Sequence, residues 1–297
     1  SMATRLLRML IPLAMVGLAG CGGSTPTSGP LQVVGAENFY GDLLHQIGGN
    51  RVTVSTVINS PTTDPHEYEP TTKDAVAVSQ ASLVLMNGLG YDSWMTHLLD
   101  SSPSSSRSVI VAGDVAHASP GSNPHLWYRV PVMERLAGKI ASALGKSRPS
   151  DAAYFRHNAG LFRQRLRPLL DEMNRIRQSF RGARIEATES VFNYMARSLG
   201  LRFDEAAFQH AVEEGIDPSA RAVISFRSML QKHRVRALIY NKQAVEPITQ
   251  NMEALARAEG IPVVGVTETE PAGTDYQHWM LGQLRELARD LRRKEQQ

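Results

Sequence analysis

Short runs rich in β-branched residues alternate with longer helical patterns through most of this 297-residue chain. The runs at 31–36 and 52–58 are predicted to be strands, and a helical pattern at 39–47 separates them. Strand, helix and strand then recur in the same order as far as residue 266. This alternation is typical of parallel sheets whose strands are joined by crossover helices. The chain is therefore predicted to be an α/β protein.

A long helical pattern, from about residue 150 to 180, divides this alternation into two parts. A helix of that length would span roughly 45 Å, enough to cross from one domain to another. Pro168 lies inside the pattern and is expected to kink or interrupt it. We predict two lobes, each a parallel sheet flanked by helices, at 31–148 and 182–297, with a linker helix at 149–181.

The N-terminal segment has the features of an export signal. Arg5 and Arg8 precede a short apolar stretch that ends in small residues and Cys21. The stretch is shorter than the roughly 20 residues that a membrane span needs. This pattern resembles a bacterial lipoprotein signal peptide at 1–20, which implies that Cys21 carries lipid in the mature protein. Residues 21–30 are predicted to be a flexible tether, because only Gly, Ser, Thr and Pro follow Cys21 as far as residue 30.

The composition limits which kinds of site the mature chain can hold. Cys21 is the single cysteine, so a disulfide framework and cysteine metal ligands are both excluded. Any metal site must use His, Asp and Glu. The formal net charge is +3 and falls by two when Arg5 and Arg8 leave with the signal peptide. The remaining basic residues are scattered, so no nucleic-acid binding is expected.

Four polar side chains lie on loops where predicted strands end. His66 and His125 are on loops of the N-terminal lobe, each directly after a proline. Glu189 and Glu268 follow predicted strands of the C-terminal lobe. The carboxyl ends of parallel strands meet at one edge of a sheet, and ligands bind in the cleft there. These four residues are therefore candidate metal ligands, two from each lobe.

Several short motifs, in this order and spacing, resemble one known family. They are Asp64-Pro65-His66, Tyr68-Glu69-Pro70, Asn87-Gly88-Leu89-Gly90 with Trp94, Asn123-Pro124-His125 with Trp127, and Tyr154 with Asn158. The chain resembles the metal-receptor lipoproteins of bacterial ABC importers for manganese and zinc, the cluster A-I solute-binding proteins. The resemblance covers nearly all of residues 31–297 and implies one metal ion between the lobes.

The resemblance also implies a role for each candidate ligand. His66 and His125 match the family's two histidines of the N-terminal lobe. Glu189 stands where zinc-type members usually have His and manganese-type members often have Glu. Glu268 stands where the family usually has Asp, and Glu270, on the same loop, is an alternative fourth ligand.

The family also predicts the partners of the chain. It implies a monomer without enzymatic activity, anchored by lipid at the outer face of the cytoplasmic membrane. It further implies that the receptor delivers its metal to an ABC transporter permease with its ATPase.

Ligand chemistry gives a separate prediction of the metal. Two imidazoles with two carboxylates form a harder set than three imidazoles with one carboxylate, which favours Mn(II) over Zn(II). The Irving–Williams order still predicts that Zn(II) binds most such sites more tightly, so a zinc-specific receptor stays open. Asp64 and Glu69 are expected to hold the His66 turn behind the ligand.

Other functions fit the sequence less well. A zinc metallohydrolase usually has closely spaced ligands such as H-E-x-x-H, which this chain lacks. Two-lobed receptors for siderophores, haem or vitamin B12 need a wide cleft lined by aromatic residues or arginines. Surface adhesion leaves no signature that the sequence would show.

Overall fold

The computed structural model describes residues 29–204, 207–244 and 246–295. The predicted signal peptide and Cys21 lie outside these described residues. Among the helices that are described, none is both long enough and apolar enough to cross a membrane.

The N-terminal lobe is built on a sheet of four parallel strands in the order β2-β1-β3-β4. The strands are β1 (Leu31–Glu37), β2 (Val52–Ile58), β3 (Leu83–Met86) and β4 (Ser108–Val111). The helices that connect or follow them are α1 (Asn38–Gly48), α2 (Thr72–Gln80), α3 (Ser93–Ser101) and the short α4 (Ala112–Val115). From Val33 onward β1 is fully buried, because it pairs with strands on both sides and helices cover the sheet.

An additional helix, α5 (Val130–Ser147), follows this sheet. This helix is absent from the predicted alternation of elements. Pro131 lies in its first turn, where the missing N–H costs no hydrogen bond. Leu136, Ile140 and Leu144 recur at four-residue spacing and are all buried. The apolar face thus carries the usual helical signal, and the helix packs against the linker.

The linker between the lobes is a pair of helices, α6 (Ala152–Arg165) and α7 (Arg167–Phe180). They are separated at Leu166, and Pro168 lies in the first turn of α7. Proline cannot donate the hydrogen bond that would continue α6, so the interruption comes where the sequence predicts it. The chain between the two sheets therefore forms two successive helices where the sequence predicted one long helix kinked or interrupted at Pro168.

The C-terminal lobe contains a smaller parallel sheet in the order β5-β6-β7. Its strands are β5 (Glu186–Ala187), β6 (Leu238–Asn241) and β7 (Val263–Val266). Its helices are α8 (Asn193–Ser198), α9 (Ala207–Glu213), α10 (Ala220–Gln231), α11 (Pro247–Ala258) and α12 (Tyr276–Glu295). Arg184 and Arg202 form an isolated parallel bridge outside these strands. The predicted α/β class, with two parallel sheets, is confirmed.

One cluster of buried side chains continues from the first lobe into the second. It includes Phe39 of α1, Trp127 before α5, and Tyr276 and Leu284 of α12. Phe39 and Trp127 stack with ring centroids 4.1 Å apart. Because close-packed side chains join the two lobes, large relative movements would expose apolar surface and cost free energy.

The carboxyl group of Glu186 predicts a pH-dependent stability. Its Oε2 atom is buried and meets no donor among the described residues. Burial, and then the charge of Asp204, raise the pKa of Glu186 from 4.5 to about 8, although Arg184 acts in the opposite direction. Between pH 4.5 and 8 the folded protein therefore holds a proton that the unfolded chain releases. Its stability is greatest below this range and falls as the pH rises through it.

We expect Glu186→Gln to remove this pH-dependent loss of stability, which amounts to at most about 1.4 kcal/mol for each pH unit. Thermal unfolding of the metal-free protein should show the variant gaining stability over the wild type at about pH 8.5 but not at about pH 4. A difference between the two proteins that does not change with pH would contradict the assignment.

Candidate metal centre

His66 lies on the loop after β2, in a short 3-10 turn formed by Pro65–Glu67. Asp64 caps this turn: its Oδ1 atom accepts a hydrogen bond from the His66 backbone N–H at 2.9 Å. The same Oδ1 lies 3.1 Å from His66 Nδ1. Trp94 donates from Nε1 to the Pro65 carbonyl at 3.0 Å, which also fixes the turn. With Nδ1 held by Asp64, Nε2 is the nitrogen available to a metal.

His125 lies at the end of the loop that follows α4, and only 3% of its surface is exposed. Asn123 Oδ1 accepts from its backbone N–H at 3.1 Å and lies 2.6 Å from its Nδ1 atom. Ser190 Oγ, from the other lobe, is 3.3 Å from the same Nδ1. These contacts fix the ring plane and direct Nε2 away from Asn123.

Glu268, on the loop after β7, meets His125 across the two lobes. Its Oε1 atom lies 3.0 Å from His125 Nε2. Two ligand atoms at about 2.1 Å from one ion lie roughly 3–3.5 Å apart. The loop is fixed by Gln243, which accepts from the Glu268 N–H at 2.9 Å, and by Trp127, which donates to the Glu268 carbonyl at 2.9 Å. The pair therefore has the spacing that a shared metal ion requires.

Glu189 follows β5, is half-buried and lies near the same loop. Burial raises its pKa well above the usual range, and the charges of Glu268, Glu213 and Glu246 add to the effect. A hydrogen bond with Asn241 acts in the opposite direction. Its Oε2 atom is buried and meets no donor in the described part of the chain. A carboxylate so placed would be stabilised by a cation.

Glu270, the alternative to Glu268, faces a different part of the molecule. Its backbone pairs with the Asn38 side chain at 2.7 and 3.1 Å. Its carboxyl group lies beside Asp42 of α1, and burial, followed by the Asp42 charge, raises its pKa to about 10. The structure thus directs Glu268, and not Glu270, towards His125.

Of the two residues expected to support the His66 turn, only Asp64 contacts it. Glu69 is exposed and forms no hydrogen bond or ion pair with the described residues. The far end of the loop is instead fixed by Asp74 in the first turn of α2. Asp74 accepts from the Tyr68 hydroxyl at 2.6 Å and from the Thr71 N–H at 2.8 Å.

Sequence reasoning missed three residues at this site. Tyr91 is fully buried between the two histidines, with ring centroids 5.2 Å from His66 and 6.1 Å from His125. Glu37, the last residue of β1, and Asp92 are also fully buried. Glu37 ends a strand at the same sheet edge as the candidate ligands, so the strand-end argument applies to it equally.

The structure brings the four candidate ligands together unequally. His125 and Glu268 are in contact, and Glu189 is close enough to Glu268 for their charges to interact. His66 is half-exposed and approaches His125 only through the ring of Tyr91. Within 29–204, 207–244 and 246–295, no three His, Cys, Asp or Glu side chains are close enough to hold one ion. The four-ligand set stays a prediction.

Solved structures with a similar fold include metal-binding proteins. The SBP FpvC of P. aeruginosa, in complex with Ni2+, has a TM-score of 0.73 at 20% identity, covering 89% of this chain and 97% of that chain. A Mn-bound periplasmic metal binding protein from Candidatus Liberibacter asiaticus has a TM-score of 0.71 at 19% identity, covering 87% and 98%. These similarities show the fold.

Sequence relatives and a family model cover most of the chain. The metal ABC transporter substrate-binding lipoprotein SloC of Streptococcus mutans is 23% identical over 308 residues, covering 96% of this chain and 98% of that protein. The model of the family described as zinc-uptake complex component A, periplasmic, matches residues 33–290. The chain therefore belongs to the ZnuA family.

Proposed function

We propose that this chain is the lipid-anchored metal receptor of a bacterial ABC importer. It captures a divalent transition metal outside the cytoplasmic membrane and delivers it to the permease. The observation that carries the proposal is the 3.0 Å approach of His125 Nε2 and Glu268 Oε1 from opposite lobes. Membership of a zinc-uptake family and the similarity to SloC, a metal ABC transporter substrate-binding lipoprotein, support the transport role.

The ion would be held by His66, His125, Glu189 and Glu268. Neutral imidazole and ionised carboxylate are the binding forms, so acid pH weakens binding and metal uptake releases protons. A metal that bridges His125 and Glu268 replaces their direct contact and neutralises the mutual repulsion of Glu268 and Glu189. Because the main core continues through both lobes, release relies on small shifts of the ligand loops.

Manganese is the favoured cargo of this site, and a zinc-specific receptor is the alternative. The two-carboxylate set is harder than the set of a zinc-type receptor, and Glu189 is the residue that makes the difference. A manganese-binding lipoprotein, MntA of Halalkalibacterium halodurans, is 28% identical over 206 residues. The zinc-binding lipoprotein AdcA of Streptococcus pneumoniae is 22% identical over 292 residues, which supports the alternative.

The role proposed is transport, not catalysis. The partners are the permease with its ATPase, and the membrane through lipid on Cys21. The receptor acts as a monomer at the outer face of the cytoplasmic membrane. Its relatives include lipoproteins and periplasmic proteins, which supports this location.

Elemental analysis of protein purified without added metal tests the proposal, together with competitive titration with Mn(II) and Zn(II). One equivalent of a divalent metal is expected. His66→Ala should weaken the affinity by more than about 10-fold, because it removes one of four ligands. Protein that binds neither metal stoichiometrically would contradict the proposed function.

His278→Ala is a matched control for His66→Ala. His278 repeats the local arrangement, since Asp275 Oδ1 accepts from its backbone N–H at 2.9 Å and lies 2.7 Å from its Nδ1. It lies at the start of α12 and is exposed. The control should bind metal as the wild type does. Equal affinity of both variants would exclude His66 as a ligand.

A further inference from the structure

Glu37 is an unusual residue for the interior of this lobe. Its surface is completely buried, and neither carboxyl oxygen meets an N–H or O–H donor elsewhere in the described chain. Buried polar atoms almost always have a hydrogen-bond partner, and a buried unpaired carboxylate is costly. A carboxyl group at the carboxyl edge of the sheet, next to the metal site, therefore requires a physical explanation.

The explanation lies in Asp92, which is also fully buried. The two carboxyl groups lie within hydrogen-bonding reach of each other. Two carboxylate anions cannot form such a bond, so one of them carries a proton. Burial, and then the charge of Asp92, raise the pKa of Glu37 well above its usual range. Burial raises the pKa of Asp92 too, but the bond from Glu37 and backbone N–H donors, those of Asn87 and Gly88 among them, act in the opposite direction and favour its ionised form. Glu37 is therefore the donor of the pair.

Asp92 also forms hydrogen bonds with the turn that follows β3. Its Oδ2 atom accepts from the Asn87 N–H at 2.7 Å, and its Oδ1 atom accepts from the Gly88 N–H at 2.9 Å. Gly88 has a positive φ of 78°, a conformation that is unfavourable for most side chains. The carboxylate thus holds the turn in one conformation.

The Asn87–Gly88 turn also fixes the loop that carries His125. The Asn87 side chain donates from Nδ2 to the Pro124 carbonyl at 2.8 Å, one residue before His125. Its Oδ1 atom accepts from the Tyr40 hydroxyl at 2.5 Å, which sets the orientation of the amide. A continuous chain of hydrogen bonds therefore runs from Glu37 through Asp92 and Asn87 to the backbone beside the metal ligand.

We propose that Glu37 is a positioning residue of the metal site, which holds His125 in its metal-binding place by donating a hydrogen bond to Asp92. This inference rests on the proposed function. Glu37 itself does not bind the metal in this arrangement. Its contribution comes from the donated hydrogen bond, because an Asp92 that keeps only its bonds from Asn87 and Gly88 would be free to shift together with that turn.

Two substitutions at Glu37 test whether the hydrogen-bond donor, rather than the volume of the side chain, is what the metal site needs. Glu37→Gln keeps the shape and places an amide N–H beside Asp92. Glu37→Met keeps the approximate volume but has no donor. We expect the Gln variant to bind Mn(II) and Zn(II) within about 3-fold of the wild type, and the Met variant to bind about 10- to 100-fold more weakly. Competition against a chelating indicator, on the full chain, gives the affinities.

The control is Glu253→Met, a buried glutamate in α11 whose side chain pairs with Arg257. Its loss should lower the thermal midpoint of the metal-free protein without changing the metal affinity. A purely structural role of Glu37 would give the same result. The Met variant of Glu37 must instead lose affinity, and the Gln variant must restore it.

Two results would overturn the inference: a Met variant that binds like the wild type, or a Gln variant that is as weak as Met. If Glu37→Met does not fold, Asn87→Ala removes the last link, together with the acceptor of the Tyr40 hydroxyl, and should weaken binding about 10-fold. Unchanged affinity in that variant would also overturn the inference. Wild-type protein that binds no metal would instead remove the proposed function, so the two failures are distinguishable.

Discussion

Replacement of His125 by alanine is expected to weaken metal binding by more than about 100-fold, because residues that only orient a ligand already contribute about 10- to 100-fold. His125 supplies the imidazole that meets Glu268 at 3.0 Å across the lobes. Alanine removes that nitrogen and leaves the Glu268 carboxylate without its partner. Competitive titration with Mn(II) and with Zn(II) measures the loss, and both metals should be affected.

A second His–Glu pair in the C-terminal lobe supplies the control. His233 Nε2 lies 2.9 Å from Glu259 Oε2, a distance similar to that of the proposed site. This pair is partly exposed and lies just before β6 and β7, whereas the candidate ligands lie on loops that follow strands. His233→Ala should leave the metal affinity unchanged. If His125→Ala also binds like the wild type, the ion is not held between the lobes.

The strand-end argument predicts much of the candidate site from the sequence alone. It selects His125 and Glu268, which the fold brings into contact although 143 positions separate them. The same argument applies to Glu37, but the predicted first strand ends at Ala36 and the structure extends it by one residue. Because strand boundaries are the least certain part of a sequence prediction, a residue that stands on such a boundary is easily overlooked.

Other features depend on contacts that a sequence pattern does not contain. His66 and His125 are both on N-terminal-lobe loops, yet Tyr91 lies between their rings. Tyr91 packs against Trp127, with ring centroids 5.0 Å apart, and lies close enough to Glu37 and Asp92 for their charges to act on it. These are interactions between distant parts of the chain. The α5 helix is different, because its apolar spacing and Pro131 are sequence features from which a helix can be predicted.

Trp127 connects the stability of the core to the candidate metal site. It is completely buried, stacks on Phe39 and accepts a hydrogen bond from the Tyr276 hydroxyl on its carbonyl at 2.7 Å. Its Nε1 donates to the Glu268 carbonyl at 2.9 Å. One side chain therefore packs α1 of the N-terminal lobe and holds a ligand loop of the C-terminal lobe.

Trp127→Ala is accordingly expected to lower the free energy of unfolding by about 3–5 kcal/mol, the usual cost of removing a buried tryptophan. Chemical denaturation of the metal-free protein measures this loss. The variant should also bind metal more weakly, because the Glu268 loop loses its donor. Phe208→Ala is the control: Phe208 is equally buried, but in the separate cluster around α10 and α11. It should lose comparable stability and keep its metal affinity. If both variants bind metal equally well, the core and the ligand loop are not coupled through Trp127, and only the packing role of this residue would remain.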